Sequence, residues 1–282
     1  MVNLYIFNES SRGAVYGIGT YIRELTAALN NSEINISVVH LYSDKPNMEI
    51  IYLDNVQHWY FPSPLILSFD KKRQNKMYYR NVLYLMQLYI NDTYKLVFHL
   101  NYIHSHFLAD ELRQVFNCIT ILVVHYFDWD FTVFDNLKWL NSTLKERKTS
   151  NFGELLKKTI DQEKRYFSKF DRLVCLSNKM YEIICEEYGI DSSKIFVISN
   201  GLTDIEKTMI DQKYLRKKWN IPIREKIILF VGRLDEVKGL SYLIKAFRNV
   251  LLIYPRSRLV IAGDGEFSKY TKESKELCSK IT

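Results

Sequence analysis

Short runs of consecutive apolar residues alternate along this chain with longer stretches whose apolar positions recur every three or four residues. The first pattern predicts buried strands and the second amphipathic helices. Strands are expected at Val2–Phe7, Ile36–Tyr42, Val56–Phe61, Lys95–Leu100, Ile119–Val124, Arg172–Leu176 and Ile195–Ile198, and, after Asn200-Gly201, at Ile227–Val231 and Leu259–Ala262. Between them the spacing predicts helices over Gly17–Leu29, Lys71–Ile90, Phe107–Phe116, Phe152–Phe167, Lys179–Tyr188, Met209–Trp219 and Leu240–Tyr254, with a last helix running to the chain end. Polar stretches from Asn8 to about Tyr16 and at Ser142–Lys148 read as loops, and Pro62 and Pro64 stop the third strand.

Strands that alternate with helices predict an α/β fold, a parallel sheet covered on both faces. Seven strand-like runs precede Gly201 and two follow it. The expected organisation is a complete Rossmann-like domain over residues 1–204 and the first part of a second over 205–282.

Composition adds limits. Thirty-nine Lys and Arg against 32 Asp and Glu leave a net charge of +7, spread along the chain. That balance suits an anionic small molecule or an anionic membrane surface and, with no dominant basic arm, does not point to nucleic acid. The 20 tyrosines supply amphipathic rings for sugar or lipid contacts, or replace Phe in a half-exposed core. Cys118, Cys175, Cys185 and Cys278 lack metal-ligand spacing. They fit a reducing cytoplasm, and the N-terminal residues do not read as a signal peptide. No apolar window reaches the roughly 18 residues of a membrane span.

The segment that carries chemistry is ILFVGRLDEVKGLSYLIKAF, Ile228–Phe247. A strand ends at Gly232, a basic loop follows, and a helix opens near Gly239. Ligands of open α/β sheets sit at the carboxyl ends of strands, and a helix start presents free N–H groups to an anion. Arg233 and Lys238 add two cations there, a constellation suited to a diphosphate. A plain strand–helix turn with two solvated basic residues has the same spacing.

FVGRLDEVKG, then LIKAF, then RLVIAGDG at Arg258–Gly265 together resemble the signature of family-4 glycosyltransferases of the GT-B fold. The likeness extends back through KIFVISNG at Lys194–Gly201, FDRLVCLS at Phe170–Ser177, the ITILVVH run ending at His125, and the loop with Gly17 and Gly19. It implies two Rossmann-like domains, the first on the acceptor side, with a nucleotide sugar bound in the cleft between them. Carried over residue by residue, Arg233 and Lys238 would hold the donor diphosphate. Gly232, Asn200, Gly17 and Gly19 would line the donor site, and His125 would contact the sugar or the acceptor. No metal and no cofactor is implied, since the nucleotide sugar is a substrate. Glu163 reads as a solvated helix face. The family's later Glu-rich motif and its closing helix would lie beyond Thr282, which implies truncation within the second domain.

Other readings compete. Gly17-Ile18-Gly19 is a GxG at a helix start, but a dinucleotide fingerprint needs a tighter turn and a third glycine or alanine, where Ile22 stands. Asp128-Trp129-Asp130 could hold a divalent ion or form a solvated acidic loop. Lys71, Lys72, Arg73, Lys76 and Arg80 ahead of VLYLMQLYI could rest on an anionic bilayer or lead into a core helix. The expected function is retaining transfer of a sugar from a nucleotide sugar to a glycan or lipid-linked acceptor in bacterial surface polysaccharide assembly, at the cytoplasmic side of the membrane. The alternative is a catalytically incomplete fragment acting as a binding or partner subunit.

Overall fold

In the computed structural model the chain divides into two compact units, Met1–Asp204 and Ile205–Thr282. The structure describes residues 2–9, 17–30, 32–65, 70–90, 94–130, 150–204, 211–234 and 238–265. The expected loop at Ser142–Lys148 and the expected last helix lie outside them.

The first unit is built on an eight-stranded sheet: β1 (Val2–Glu9), β2 (Ile34–Ser43), β3 (Glu49–Leu53), β4 (Val56–Pro62), β5 (Lys95–Leu100), β6 (Cys118–Val124), β7 (Arg172–Cys175) and β8 (Ile195–Val197). The spatial order is β3-β4-β2-β1-β5-β6-β7-β8, parallel throughout except for the β3–β4 pair. The order reverses between β1 and β5, the switch point beside which open α/β sheets bind ligands.

β3 is absent from the sequence reading. It is the edge partner of a hairpin whose turn, Asp54-Asn55, takes positive φ at both residues (49° and 63°). Asp and Asn tolerate that conformation better than most side chains. β1 also runs two residues past Phe7, so Asn8 and Glu9 belong to the strand and not to the expected loop.

Apolar strand residues alternate between two cores. On one face α1 (Gly17–Leu29) buries Ile18 and Ile22 against Leu4, Ile6, Ile36 and Val38. The other face carries α2 (Lys71–Gln87), α3 (His106–Val115), α4 (Ser150–Phe167) and α5 (Asn178–Glu182), which continues into a π turn at Ile183–Glu187. Its core gathers Phe7, Trp59, Tyr78, Phe98, Phe167 and Tyr188. Several tyrosines therefore serve as core residues. Cys118 and Cys175 lie in β6 and β7, where burial pushes their thiols up to about 11 and 12.

The second unit holds α6 (Gln212–Lys218), β9 (Lys226–Val231), α7 (Leu240–Ile253) and β10 (Ser257–Ala262). β9 and β10 pair in parallel. Leu240, Ile244 and Phe247 of α7 pack with Leu234 and Leu259. Arg258 Nε meets Glu225 Oε2 at 2.7 Å beside that pair.

Candidate functional site

In the first unit the chemistry gathers at the carboxyl ends of β1, β5 and β6. His125 follows β6 directly, and Asn101 follows β5. Asn101 Nδ2 donates to the Phe7 carbonyl at 3.0 Å, extending β1 past the point where its ladder with β5 ends. A carbonyl can only accept, so Asn101 Oδ1 must accept from His125 Nε2, 3.0 Å away. The His125 imidazole thus carries its proton on Nε2 and keeps Nδ1 as an acceptor. Burial holds the ring down to about 4, so it is neutral at pH 7.

α1 closes over this point. The edge of the Tyr21 ring meets His125 at 4.9 Å between centroids, and its hydroxyl lies 3.2 Å from His99 Nε2. Burial pushes Tyr21 up to about 12 and His99 down to about 4. Gly17 opens this helix, and among the described residues a Cβ placed on it would meet nothing within 4 Å. Gly19 sits two residues further along the same helix. At the end of β1, Asn8 accepts from the Tyr102 hydroxyl and Glu9 from Ser105, and burial raises the Glu9 carboxyl.

Glu163 is not a solvated helix face. It is fully buried in α4, where its carboxylate accepts from the Asp128 backbone N–H and the Tyr188 hydroxyl. Burial lifts it to about 7. It ties the segment three residues past His125 to α4 and to the end of the π turn. The expected solvated acidic loop is corrected by the same contacts. Asp128 is partly buried, its carboxylate is raised by burial, and His104 Nε2 stands 3.5 Å from it. Asp130 is exposed. Among the described residues no three His, Cys, Asp or Glu converge as a metal site. Asn200 lies in exposed chain after β8. The segment beyond it returns to α1, where Thr203 donates from both N and Oγ1 to Glu24 Oε2, at 3.0 and 2.7 Å.

In the second unit Gly232 and Arg233 leave the end of β9. Gly232 N donates to Ala262 O at 3.0 Å and Leu234 N to Asp264 O at 2.9 Å, so the pairing of β9 with β10 outlasts both strands. Lys238 is exposed just before α7. Gly239 caps that helix with φ 69°, a left-handed conformation that favours glycine. The 14-residue helix has no acidic residue in its first turn, where the positive end of its dipole lies. Two cations and a helix start thus share one strand–helix crossing.

Sequence reasoning singled out Arg233 and Lys238 at the crossing from β9 to α7, and His125 by its resemblance and its place after β6. It missed Asn101, Tyr21 and His99, and it read the buried Glu163 as a solvated helix face. Asn101 carried the same signal as His125, a polar residue straight after the apolar run KLVFHL.

Residues 15–204 match the family described as Glycosyltransferase Family 4, and residues 211–280 match Glycosyl transferases group 1. An uncharacterized glycosyltransferase of Methanocaldococcus jannaschii is 31% identical over 122 residues, which are 41% of this chain and 30% of that protein. The UDP-Gal:alpha-D-GlcNAc-diphosphoundecaprenol alpha-1,3-galactosyltransferase of Escherichia coli is 36% identical over 100 residues, 34% of this chain and 26% of that protein. Each match thus spans about a third or less of the relative. Among solved structures, sucrose-phosphate synthase from Thermosynechococcus elongatus superposes with a TM-score of 0.66 at 15% identity, covering 100% of this chain and 70% of that one. This likeness is one of fold.

Proposed function

The chain belongs to glycosyltransferase family 4, and from that premise we propose that it moves a sugar from a nucleotide-sugar donor to a glycan or lipid-linked acceptor, with retention, in bacterial surface polysaccharide assembly. The observation that carries the reading is the crossing from β9 to α7. Arg233 can fork two N–H donors onto one phosphate, and Lys238 adds a point charge. The α7 N-terminus adds its dipole. In transfer the bond from the anomeric carbon to the diphosphate breaks, and the acceptor oxygen bonds to the same face of that carbon. The acceptor proton leaves on a phosphate oxygen. These groups would stabilise the charge that builds on the departing nucleotide, without a metal.

His125 suits the sugar and not the phosphate. A neutral imidazole with Nδ1 free to accept matches a hydroxyl, and Asn101 and Tyr21 hold the ring in place. In this reading Gly17 and Gly19 at the α1 start, with Gly232 and Asn200, would line the donor site.

Two observations support a lipid-linked acceptor and peripheral membrane contact. A groove of about 590 Å³ runs between the end of β4 and α2, lined mainly by apolar side chains including Phe61, Met77 and Leu85, with Arg73 among them. α2 also exposes Met77, Tyr84 and, at its end, Leu88. Lys76 and Arg80 are engaged by Glu111, which leaves fewer cations for a bilayer than the sequence suggests. Among the described residues no helix is long and apolar enough to cross a membrane. The Escherichia coli relative is named for a diphosphoundecaprenol acceptor, which agrees with this reading.

The test is calorimetric titration of UDP, GDP and ADP into the wild type, Arg233→Ala and Arg233→Lys, with and without chelator. Arg233→Ala should bind about tenfold more weakly, a loss of ~1.4 kcal/mol. Arg233→Lys should recover part of it, and chelation should change nothing. Equal binding by Arg233→Ala, or binding lost on chelation, would overturn the assignment.

A further inference from the structure

A second cavity of about 560 Å³ lies at the opposite end of the first unit's sheet. Its floor is one row of the sheet. Tyr5, Ser37, Gln57 and Tyr52 are successive partners across β1, β2, β4 and β3, so their side chains stand on one face. Asn3 and Asn35 pair two positions nearer the strand starts, with Asn35 Nδ2 donating to Asn3 Oδ1 at 2.9 Å. Trp59 and Tyr89 form a wall, edge to face at 6.0 Å and 82°. Tyr94 and the turn residue Asn55 complete the rim.

Three properties narrow what would fit. No described lining residue is charged. The lining is rich in amides, which donate and accept at once as hydroxyl groups do. Three rings around the cavity are far from buried: Tyr52 is 68% exposed, Tyr89 59% and Tyr94 43%. Gln57 is locked in place, its Oε1 accepting from Ser37 Oγ and Trp59 Nε1 at 3.1 Å each, while its Nε2 donates to the Tyr52 hydroxyl oxygen. That contact leaves the Tyr52 O–H proton for a further partner. Volume and lining both lie within the range of preformed ligand sites.

We propose that this aromatic and amide cavity, at the amino-terminal end of the sheet, is a binding site for a neutral oligosaccharide. Sugar C–H faces would stack on the exposed tyrosine rings, and sugar hydroxyls would pair with the amides and Tyr52. The site is separate from the candidate reaction centre. Asn3 and Glu9 mark the two ends of β1, about 20 Å apart at ~3.3 Å per residue, and Asn101 and His125 belong to the far end. A glycan held here is anchored away from the end that reacts.

The test is titration of maltohexaose, cellohexaose and chitohexaose, with oligogalacturonate as an acidic control, into the full chain and its Tyr52→Ala, Tyr89→Ala and His125→Ala variants. Both tyrosines are exposed, so their variants should fold, and thermal unfolding checks this. At least one neutral hexasaccharide should bind. Each tyrosine variant should weaken it about tenfold, His125→Ala should leave it unchanged, and salt should have little effect, since no ion pair is involved. No neutral binding at about 10 mM, where even −3 kcal/mol of affinity is seen, would overturn the proposal. So would affinity unchanged in both tyrosine variants, affinity lost in His125→Ala, or preference for the acidic control. No nucleotide is present in this titration, so its failure leaves the donor reading of Arg233 intact.

Discussion

Asn101 holds His125 in one tautomer: its amide nitrogen is committed to the Phe7 carbonyl, so its oxygen can only receive the Nε2 proton. Asn101 is 1% exposed, and removing it leaves a buried strand carbonyl without that donor, at a cost of about 1–3 kcal/mol. Asn101→Ala should therefore lower stability by that amount and sugar transfer by about ten- to a hundredfold. A role in stability alone would not move the ring proton. Nitrogen-15 spectra of the imidazole should show a mixture of tautomers in the variant and Nε2–H alone in the wild type. Unchanged ring signals in the variant would refute the positioning role.

The second prediction concerns two glycines. A Cβ built on Gly263 would lie 1.8 Å from the Gly232 carbonyl oxygen, whereas one on Gly201 would meet nothing within 4 Å. The tails of β9 and β10 approach so closely because Gly232 N and Leu234 N bond across to Ala262 and Asp264. Gly263→Ala should therefore destabilise the second unit by about 1–3 kcal/mol, as overpacking does, and weaken nucleotide binding by displacing Arg233. Gly201→Ala should stay within about 0.5 kcal/mol of wild type. Hydrogen exchange of β9 and β10 in both variants checks this, and equal protection would count against the close approach.

Those elements also show what was legible beforehand. Ile119–Val124 reads as a strand from composition alone, because a strand buried on both faces carries no polar alternation. β3 does not, because at an edge Glu49–Leu53 is only half covered and its hairpin signal rests on the two turn residues. The position after a strand located His125 and Arg233, but it says nothing of partners that arrive from 24 or 104 residues away, as Asn101 and Tyr21 do at His125. Glu163 was visible and misread. Leu156, Ile160, Glu163 and Phe167 are spaced 4, 3 and 4 apart, so the glutamate falls on the apolar stripe of α4. Its residue type argued for solvent while its spacing argued for burial, and the spacing prevailed.

That buried glutamate sets the last prediction. Glu163 titrates near 7 in the folded chain, raised first by burial, with Asp128 and Asp130 adding to the shift, against about 4.3 when unfolded. Between those values the folded state binds the extra proton, so this group's contribution to stability is full below about pH 4.3 and is lost as pH rises through 7. At ~1.4 kcal/mol per unit the loss is on the order of 4 kcal/mol. Five histidines act in the opposite sense, His58 among them, which burial lowers. His40, His99, His106 and His125 are each held down to about 4 by burial, so stability falls as pH drops from about 6.5 toward 4. The wild type should therefore be most stable near neutral pH, and the Glu163 effect shows only by difference. Glu163→Gln keeps the shape of the protonated acid, with its oxygen accepting from Asp128 N–H and its amide donating to the Tyr188 oxygen. The histidines are unchanged in it and cancel from the comparison. Urea unfolding of both proteins at pH 5, 6, 7 and 8 should show the glutamine variant gaining on the wild type from pH 5 to about 7, and the difference levelling off between pH 7 and 8. Parallel curves would mean that Glu163 does not hold its proton in the folded chain.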